Sequence, residues 1–579
     1  MSRDDDINVR PGRIRSTRPG RGKSFVARVL AATQKVGGLH RLGARGGSRA
    51  AFGRGRAASL GALRGLNSAS RVVVVKARVV RHSQKSAPLV AHLSYLRRDG
   101  VTRDGASGKM FDAAGDEVDA RSFAERCQGD RHHFRFIVSP DDAAELSDLR
   151  AFTRDLMKDM SRDLATSIDW VAVDHWNTEH PHIHVLARGR AEDGGDLVVS
   201  PDYISRGLRA RAEQLVTLEL GPRNELEIHR TLARQVDADR WTPLDQALAR
   251  EAARNDGGVD LRPVGDRVLD AERTMLVARA RKLEKLGLAA PAGPGQWVMA
   301  ENSESVLRAL GERGDIIKRI HRGLSERGLD RATAEFVLDA ETRGDPIIGR
   351  LLARGLDDEL KGSAFAIIDG VDGRAHHARF ADVDATSDAA PGAIVEARRL
   401  PSRDGGSSRL VLAVRSDLAL AEQVHAPGAT WLDRRLVAKE TMPLSENGFG
   451  RDVRDALEAR TEHLVSEGLA RRQGQRVVFA RDLLDTLRNR ELDAVGVRIA
   501  AETGLPRHAV AEGETVAGVY RNRLTLASGR FAMIDDGLGF QLVPWSPSLE
   551  KEIGKLVSGV MSPGGGVDWS FGRRRGIAM

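Results

Sequence analysis

Cysteine is almost absent. Cys127 stands alone among 579 residues, which excludes an internal disulfide and fits a reducing cytoplasm. Tyrosine is nearly as scarce: Tyr95, Tyr203 and Tyr520 are the whole set, so any chemistry that needs a phenol has three candidates. No run of roughly eighteen apolar residues occurs, and the N-terminus lacks the apolar core of a signal peptide. A soluble, cytoplasmic protein with no membrane insertion is expected. A complete phosphate loop is missing too. Gly22-Lys23-Ser24 has the right ending, but Thr17 occupies the place of the first glycine and no strand precedes it. Neither an NTPase nor a fused helicase is expected.

What is present is length and unevenly placed charge. With 41% hydrophobic residues the chain can bury more than one core. The net charge is +9, yet residues 1–70 hold 15 Lys or Arg against 3 Asp, which leaves the remainder slightly acidic. Residues 1–70 are rich in Arg, Gly, Ser and Ala with little period, and read as a disordered basic arm able to neutralise phosphates. A polyanionic partner follows from that charge.

Along the chain, a strand is expected from Val72 through Val80. A helix begins near Ser86, with Leu89, Leu93 and Leu96 on its buried stripe and Tyr95 among them. Arg97 and Arg98 follow Tyr95 and suit a phosphate backbone. Residues 100–130 read as a polar, flexible loop. Phe134, Phe136 and Val138 alternate as a strand; Ser139-Pro140-Asp141 is expected to open a helix that runs to Leu164. A last helix spans about Ser205 to Leu220. These elements predict a sheet covered by helices over residues 71–230.

Four of the sixteen histidines fall in Asp174-His175-Trp176-Asn177-Thr178-Glu179-His180-Pro181-His182-Ile183-His184. Trp170 to His175 alternates like a strand, and His182, His184 and Leu186 share one face of a second. Pro181 cannot continue a ladder, so a turn lies between them. The hairpin expected here brings His175 opposite His182 and His184, and three imidazoles on two strands form a metal site with positions open for substrate. His180, in the turn, is the weakest ligand of the four. A tyrosine, a three-histidine metal site and a basic arm point to phosphodiester transesterification on single-stranded DNA, with Asp174 or Glu179 as the assisting acid and Trp176 stacking a base.

Residues 231–270 read as a linker. Leu276 to Gly287 followed by Gln296-Trp297-Val298 reads as the helix and wing of a winged helix within 271–345. Glu462 to Gly468 followed by Arg476-Val477-Val478-Phe479 repeats it more faintly within 441–510. The segments 346–440 and 511–579 read as small β-barrel-like modules, the second ending in a basic tail at Arg573-Arg574-Arg575.

The His180-Pro181-His182-Ile183-His184 core, with His175 upstream and Tyr95 on an early helix, resembles conjugative relaxases. The likeness is greatest to the mobilisation nucleases of the HUH superfamily that are related to the T-DNA border endonuclease. It covers residues 71–230, and the long C-terminal extension carries no assigned activity. The resemblance implies an α+β fold with an antiparallel sheet bearing the histidines. It implies Tyr95 as nucleophile, with His175, His182 and His184 holding Mg2+ or Mn2+. It also implies nicking at an origin of transfer, together with accessory relaxosome proteins and a type IV secretion coupling protein. Arg97, Arg98, Trp176 and Arg188 are the expected DNA contacts. Asn177 and Arg188 stand where the family usually has aspartate and asparagine, so whether Asp174 assists Tyr95 stays open, and Tyr203 is kept as the reserve nucleophile. The other readings are a replication initiator of the same superfamily and a non-catalytic DNA-binding regulator.

Overall fold

The computed structural model describes residues 53–64, 66, 69–82, 89–97, 101–176, 181–263, 271–338, 345–358, 360–401, 408–440, 442–474, 476–550, 552–563 and 565–571. The chain divides into two compact units, residues 1–237 with 263–279, and residues 238–262 with 280–579.

The first unit is built on four antiparallel strands, β1 (Val73–Arg81), β2 (His132–Pro140), β3 (Trp170–His175) and β4 (His182–Arg188), in the order β1-β2-β4-β3. Strand period sorts their residues onto two faces. On one face lie Val73, Ala77, Phe134, Phe136, Val138, Ile183, Val185, Ala187 and Ala172, all buried in one core. Helix α4 (Leu149–Leu164) contributes Phe152, Leu156 and Met160 to this core and α5 (Leu208–Leu220) contributes Ala212 and Val216. The other face carries Val171, Val173, His175, His182, His184 and Leu186. Helices α2 (Leu89–Leu96) and α3 (Ala120–Arg126) cover its apolar part, through Leu93, Leu96, Phe123 and Ala124.

Four expectations need correction here. The basic arm ends earlier than residue 70: Arg54 forms a β-bridge with Val199, and helix α1 (Arg56–Arg64) packs on the core. It lacks a large apolar stripe because it binds by close approach of small residues. Ser59 and Ala62 are buried, and a Cβ on Gly207 would sit 3.1 Å from that of Ser59. The rest of the arm, residues 1–52, lies outside the described residues. Next, residues 101–130 are no loose loop. Phe111 bridges to Ala172 at the sheet edge, and Val101, Met110, Phe111 and Phe123 are buried. Their spacing has no period because each finds a different neighbour. Pro140 closes β2 instead of opening a helix. Helix α4 starts at Leu149, where the Asp148 carboxylate accepts from the Arg150 and Ala151 N–H groups. Finally, the expected linker 231–270 is largely structured, by α6 (Glu225–Asp237), α7 (Pro243–Arg254) and β5 (Gly258–Asp260).

The second unit contains both expected helix-then-hairpin patterns. Helix α8 (Ala271–Lys285), whose first turns belong to the first unit, precedes β6 (Ala289–Gly293) and β7 (Gln296–Met299); β5, β7 and β6 form one sheet, followed by α9 (Ser303–Ser325). A six-stranded sheet follows, made of β8 (Phe336–Val337), β9 (Ile347–Asp358), β10 (Ser363–Gly370), β11 (Ala375–Phe380), β12 (Ile394–Leu400) and β13 (Arg409–Ser416) in the order β13-β12-β9-β10-β11-β8. Helices α10 (Leu420–Val424), α11 (Trp431–Leu436) and α12 (Gly448–Ser466) lead into the hairpin β14 (Ala470–Gln473) and β15 (Arg476–Phe479), then α13 (Leu483–Thr503). The last sheet holds β16 (Thr515–Leu526), β17 (Gly529–Asp535), β18 (Phe540–Pro544), β19 (Leu556–Met561) and β20 (Val567–Ser570), ordered β18-β17-β16-β19-β20.

Neither large sheet closes among the described residues, so the barrel-like expectation gives way to open sheets. Closure needs outer strands long enough to share a ladder at a steep tilt, and the outer strands of the last sheet have only 5 and 4 residues. The basic tail at Arg573 lies outside the described residues. No helix among the described residues is long and apolar enough to cross a membrane.

Cys127 provides a check on this packing. It is buried with Leu93, Phe123 and Val173, and burial pushes its thiol up to about 12. At pH 8 the folded protein should therefore react with iodoacetamide at least about 100-fold more slowly than the urea-unfolded chain. Mass spectrometry of the alkylated protein reads the difference, and equal rates would mean that α2 and α3 do not cover this face.

Candidate metal centre

The β3–β4 ladder sets His175 directly opposite His182 and Val173 opposite His184, so the three imidazoles share a face. Ring centroids are 4.4 Å apart for His175 and His184, 4.9 Å for His182 and His184, and 5.4 Å for His175 and His182. One nitrogen from each ring lies within 4.8 Å of the other two. His182 Nε2 and His184 Nε2 are 3.2 Å apart. Two nitrogens bound to one ion at about 2.0–2.2 Å sit roughly 3–4 Å apart, so this spacing suits a shared cation. All three rings are buried, His175 completely.

His175 is oriented from outside the hairpin. Its Nε2 lies 2.8 Å from the carbonyl oxygen of Leu96 at the end of α2. A carbonyl can only accept, so Nε2 carries the proton and Nδ1 keeps the lone pair for a metal. No carboxylate joins the cluster among the described residues. Three neutral nitrogens leave positions open for solvent or substrate and suit a first-row transition ion better than Mg2+.

The other expected site residues are distributed unevenly. Tyr95 lies on α2, one residue before Leu96, which brings its backbone beside the histidine face. The Tyr95 side chain and Arg98 lie outside the described residues, as do Asn177, Thr178, Glu179 and His180 of the turn. Arg97 is exposed just past the helix. Asp174 is not brought to the triad. Alternation puts it on the opposite face, where its carboxylate accepts from Arg150 Nε at 3.0 Å and from the Trp176 indole at 2.7 Å. Trp176 is half-buried, and the Arg103 guanidinium lies 3.7 Å above its ring. Arg188 shares the histidine face, but Asp130 accepts from its Nε at 2.9 Å and Asp169 from its Nη1 at 3.3 Å. Those carboxylates hold its pKa above the ordinary guanidinium value, the Asp130 hydrogen bond most of all. This Arg188 is committed to the fold.

Tyr203 is excluded as a reserve nucleophile by placement. It is buried in the core beneath the other sheet face, and its hydroxyl donates to Asp163 at 3.0 Å. Burial and the Asp163 charge both push the phenol up.

Sequence reasoning missed a cationic stripe on the triad's own face. Ile137 pairs with His184, Arg135 with Leu186 and Arg78 with Arg135 across the sheet, so Lys76, Arg78 and Arg135 flank the histidines on β1 and β2. Arg135 Nε donates to His133 Nε2 at 3.0 Å. Burial, then the Arg78 charge, brings its pKa down to about 10. The signal was the two-residue alternation of Lys76 and Arg78 against Val73, Ala77 and Val79.

If the triad binds a cation, Mn2+ at about 100 times its Kd should stabilise the folded chain by about 2.7 kcal/mol. His182→Ala and His184→Ala should each lower Mn2+ affinity at least roughly 100-fold and cancel the stabilisation. Calorimetric titration and melting with and without Mn2+ test this, and an unchanged affinity in both variants would rule the triad out.

Nothing among curated proteins and nothing among solved structures matches this chain. A family profile does match, over residues 276–405 and 401–578, together more than half of the sequence, and its description reads "Protein of unknown function (DUF3363)". The chain belongs to the DUF3363 family.

Proposed function

We propose that the first unit is a tyrosine relaxase that nicks and rejoins one DNA strand at an origin of transfer. The observation that carries this reading is the tie between the triad and the tyrosine helix: His175 is hydrogen-bonded to the carbonyl of Leu96, the residue after Tyr95. A buried three-histidine cluster next to a helical tyrosine suits metal-assisted attack on a phosphodiester, whereas a pure DNA-binding regulator has no use for it.

When a divalent ion is held by His175, His182 and His184, it supplies polarisation of a non-bridging phosphate oxygen. Of the two expected ions, Mn2+ suits three nitrogen donors better than Mg2+. The phenolic oxygen of Tyr95 forms a bond to phosphorus as the bond to the 3′-oxygen breaks. The phenolic proton passes to solvent, and the released 3′-oxygen takes up a proton. The products are a 5′-phosphotyrosyl link and a free 3′-hydroxyl, and because the link conserves the ester energy, the strand is resealed without ATP. Asp174 has no part in this proton transfer, since it faces Arg150 on the far side of the sheet. Lys76, Arg78 and Arg135 offer a path for the phosphate backbone across β1 and β2. Such an enzyme works in the bacterial cytoplasm with accessory relaxosome proteins and a secretion coupling protein, and can be carried along with the transferred strand.

The test is cleavage of single-stranded origin-of-transfer oligonucleotides with Mn2+ by wild type, Tyr95→Phe and His184→Ala. A covalent protein–DNA adduct is expected from wild type, none from Tyr95→Phe, and a loss of at least about 100-fold in rate from His184→Ala. An adduct that persists in Tyr95→Phe sinks the assignment of the nucleophile. Cleavage only of replication-origin sequences would make the protein an initiator instead.

A further inference from the structure

Residues 236–570 contain a pattern that the nicking reaction does not use. Thr242 caps α7 with Asp245 three residues on, each bonding the other's backbone, and Thr430 caps α11 with Asp433 in the same way. Both aspartates are completely buried. So are two arginines on the following long helices, Arg279 on α8 and Arg460 on α12. Arg460 donates to Asp433 at 2.8 and 2.9 Å and to the Val424 carbonyl at 3.1 Å; Arg279 donates to the Val236 carbonyl at 2.8 Å. The spacing Val236, Thr242, Asp245 recurs as Val424, Thr430, Asp433. The spacing Arg279, Leu283, Gly287-Leu288-Ala289 recurs as Arg460, Leu464, Gly468-Leu469-Ala470.

The sheets repeat as well. Five strands in the order β13-β12-β9-β10-β11 correspond to β20-β19-β16-β17-β18, with antiparallel neighbours throughout. Phe365-Ala366-Ile367-Ile368-Asp369 matches Phe531-Ala532-Met533-Ile534-Asp535. In each copy a glycine of the neighbouring strand, Gly349 or Gly518, lies where a Cβ would collide with the carbonyl of that aspartate. Close approach at a matched position is a backbone requirement and does not arise from composition.

We propose that residues 236–416 and 424–570 are two copies of one helix–hairpin–sheet module, and that the first copy alone binds duplex DNA through the exposed face of α8. The buried framework is shared, while the exposed charge differs: among the described residues α8 exposes Arg281, Glu284 and Lys285, a net of +1, and α12 exposes Arg451, Arg454, Asp455, Glu458 and Glu462, a net of −1. Arg281 and Lys285 are exposed on α8. The matched positions on α12 are Glu462 and Ser466, and Asp455 and Glu458 are exposed on the same helix. Around the second hairpin, Arg472 is already paired with Glu462. A helix followed by a hairpin enters the major groove of B-form DNA, where α8 brings positive charge to phosphates. At the matched positions α12 has Glu462 and Ser466 and brings no positive charge there. Duplex RNA is disfavoured, because its major groove is too narrow to admit a helix. This inference does not depend on the triad.

The test uses the full-length protein in EDTA, so that no cleavage occurs, and measures binding to a labelled 30-base-pair DNA duplex across a salt series. The double variant Arg281→Glu with Lys285→Glu should lose at least about tenfold in duplex affinity and reduce the salt slope by about two, with an unchanged melting curve. The double variant Arg471→Glu with Arg476→Glu, on the second hairpin, should change affinity less than about twofold. Equal losses in the two double variants, an unchanged affinity in the first, or equal binding of duplex RNA would each overturn the proposal.

Discussion

The first unit depends on one constraint, the register of β3 against β4. Because strand residues alternate between faces, His175 opposite His182 places every odd-numbered residue of β3 with the even-numbered residues of β4. A slip by one position would bury the imidazoles in the core of Phe134, Phe136 and Met160 and turn Ile183 and Val185 toward the site. The apolar core on the opposite face and the histidine cluster therefore specify the same register. The second strand pair, β2 with β4, extends it to Arg135 and β1, so the cations flank the histidines for the same reason.

The histidine face is finished by elements outside the sheet. Helix α2 closes it through Leu93 and Leu96 and supplies the carbonyl that orients His175. One short helix thus carries the candidate nucleophile and sets the tautomer of a candidate ligand. Asp174 illustrates the other side of that geometry. Its neighbour His175 belongs to the site, but the Asp174 carboxylate joins Arg150 of α4 in the opposite layer. Adjacency in sequence is separation in space when the residues lie in a strand.

The second unit spends charge on architecture. Arg460 and Asp433 are completely buried, and their desolvation is offset only because the guanidinium also donates to the Val424, Ala426 and Gly428 carbonyls. Such a pair is poor at adding stability and good at rejecting alternative packings, since any arrangement that breaks it leaves a buried charge alone. A framework of that kind can hold while its surface changes, as the contrast between Arg281 and Glu462 illustrates.

Much of the fold was legible in the residues themselves. The histidine hairpin, the strand through Phe134 and Phe136, the helix bearing Tyr95 and the two helix-then-hairpin stretches all follow from local period, which depends only on backbone geometry. Local period fails where packing is made by small or scattered residues: α1 with Ser59 and Ala62, and the segment holding Met110 and Phe111, have no stripe to read. The start of α4 was misplaced because Pro140 fits a strand end as well as a helix start. Which charged residues face the histidines could not be read locally. Arg188 and Asp174 look available in the chain, and only the tertiary structure commits them to Asp130 and Arg150. Which side chains share a face of each strand follows from backbone alternation alone; which faces meet depends on contacts between residues far apart in the chain, and only the folded molecule shows it.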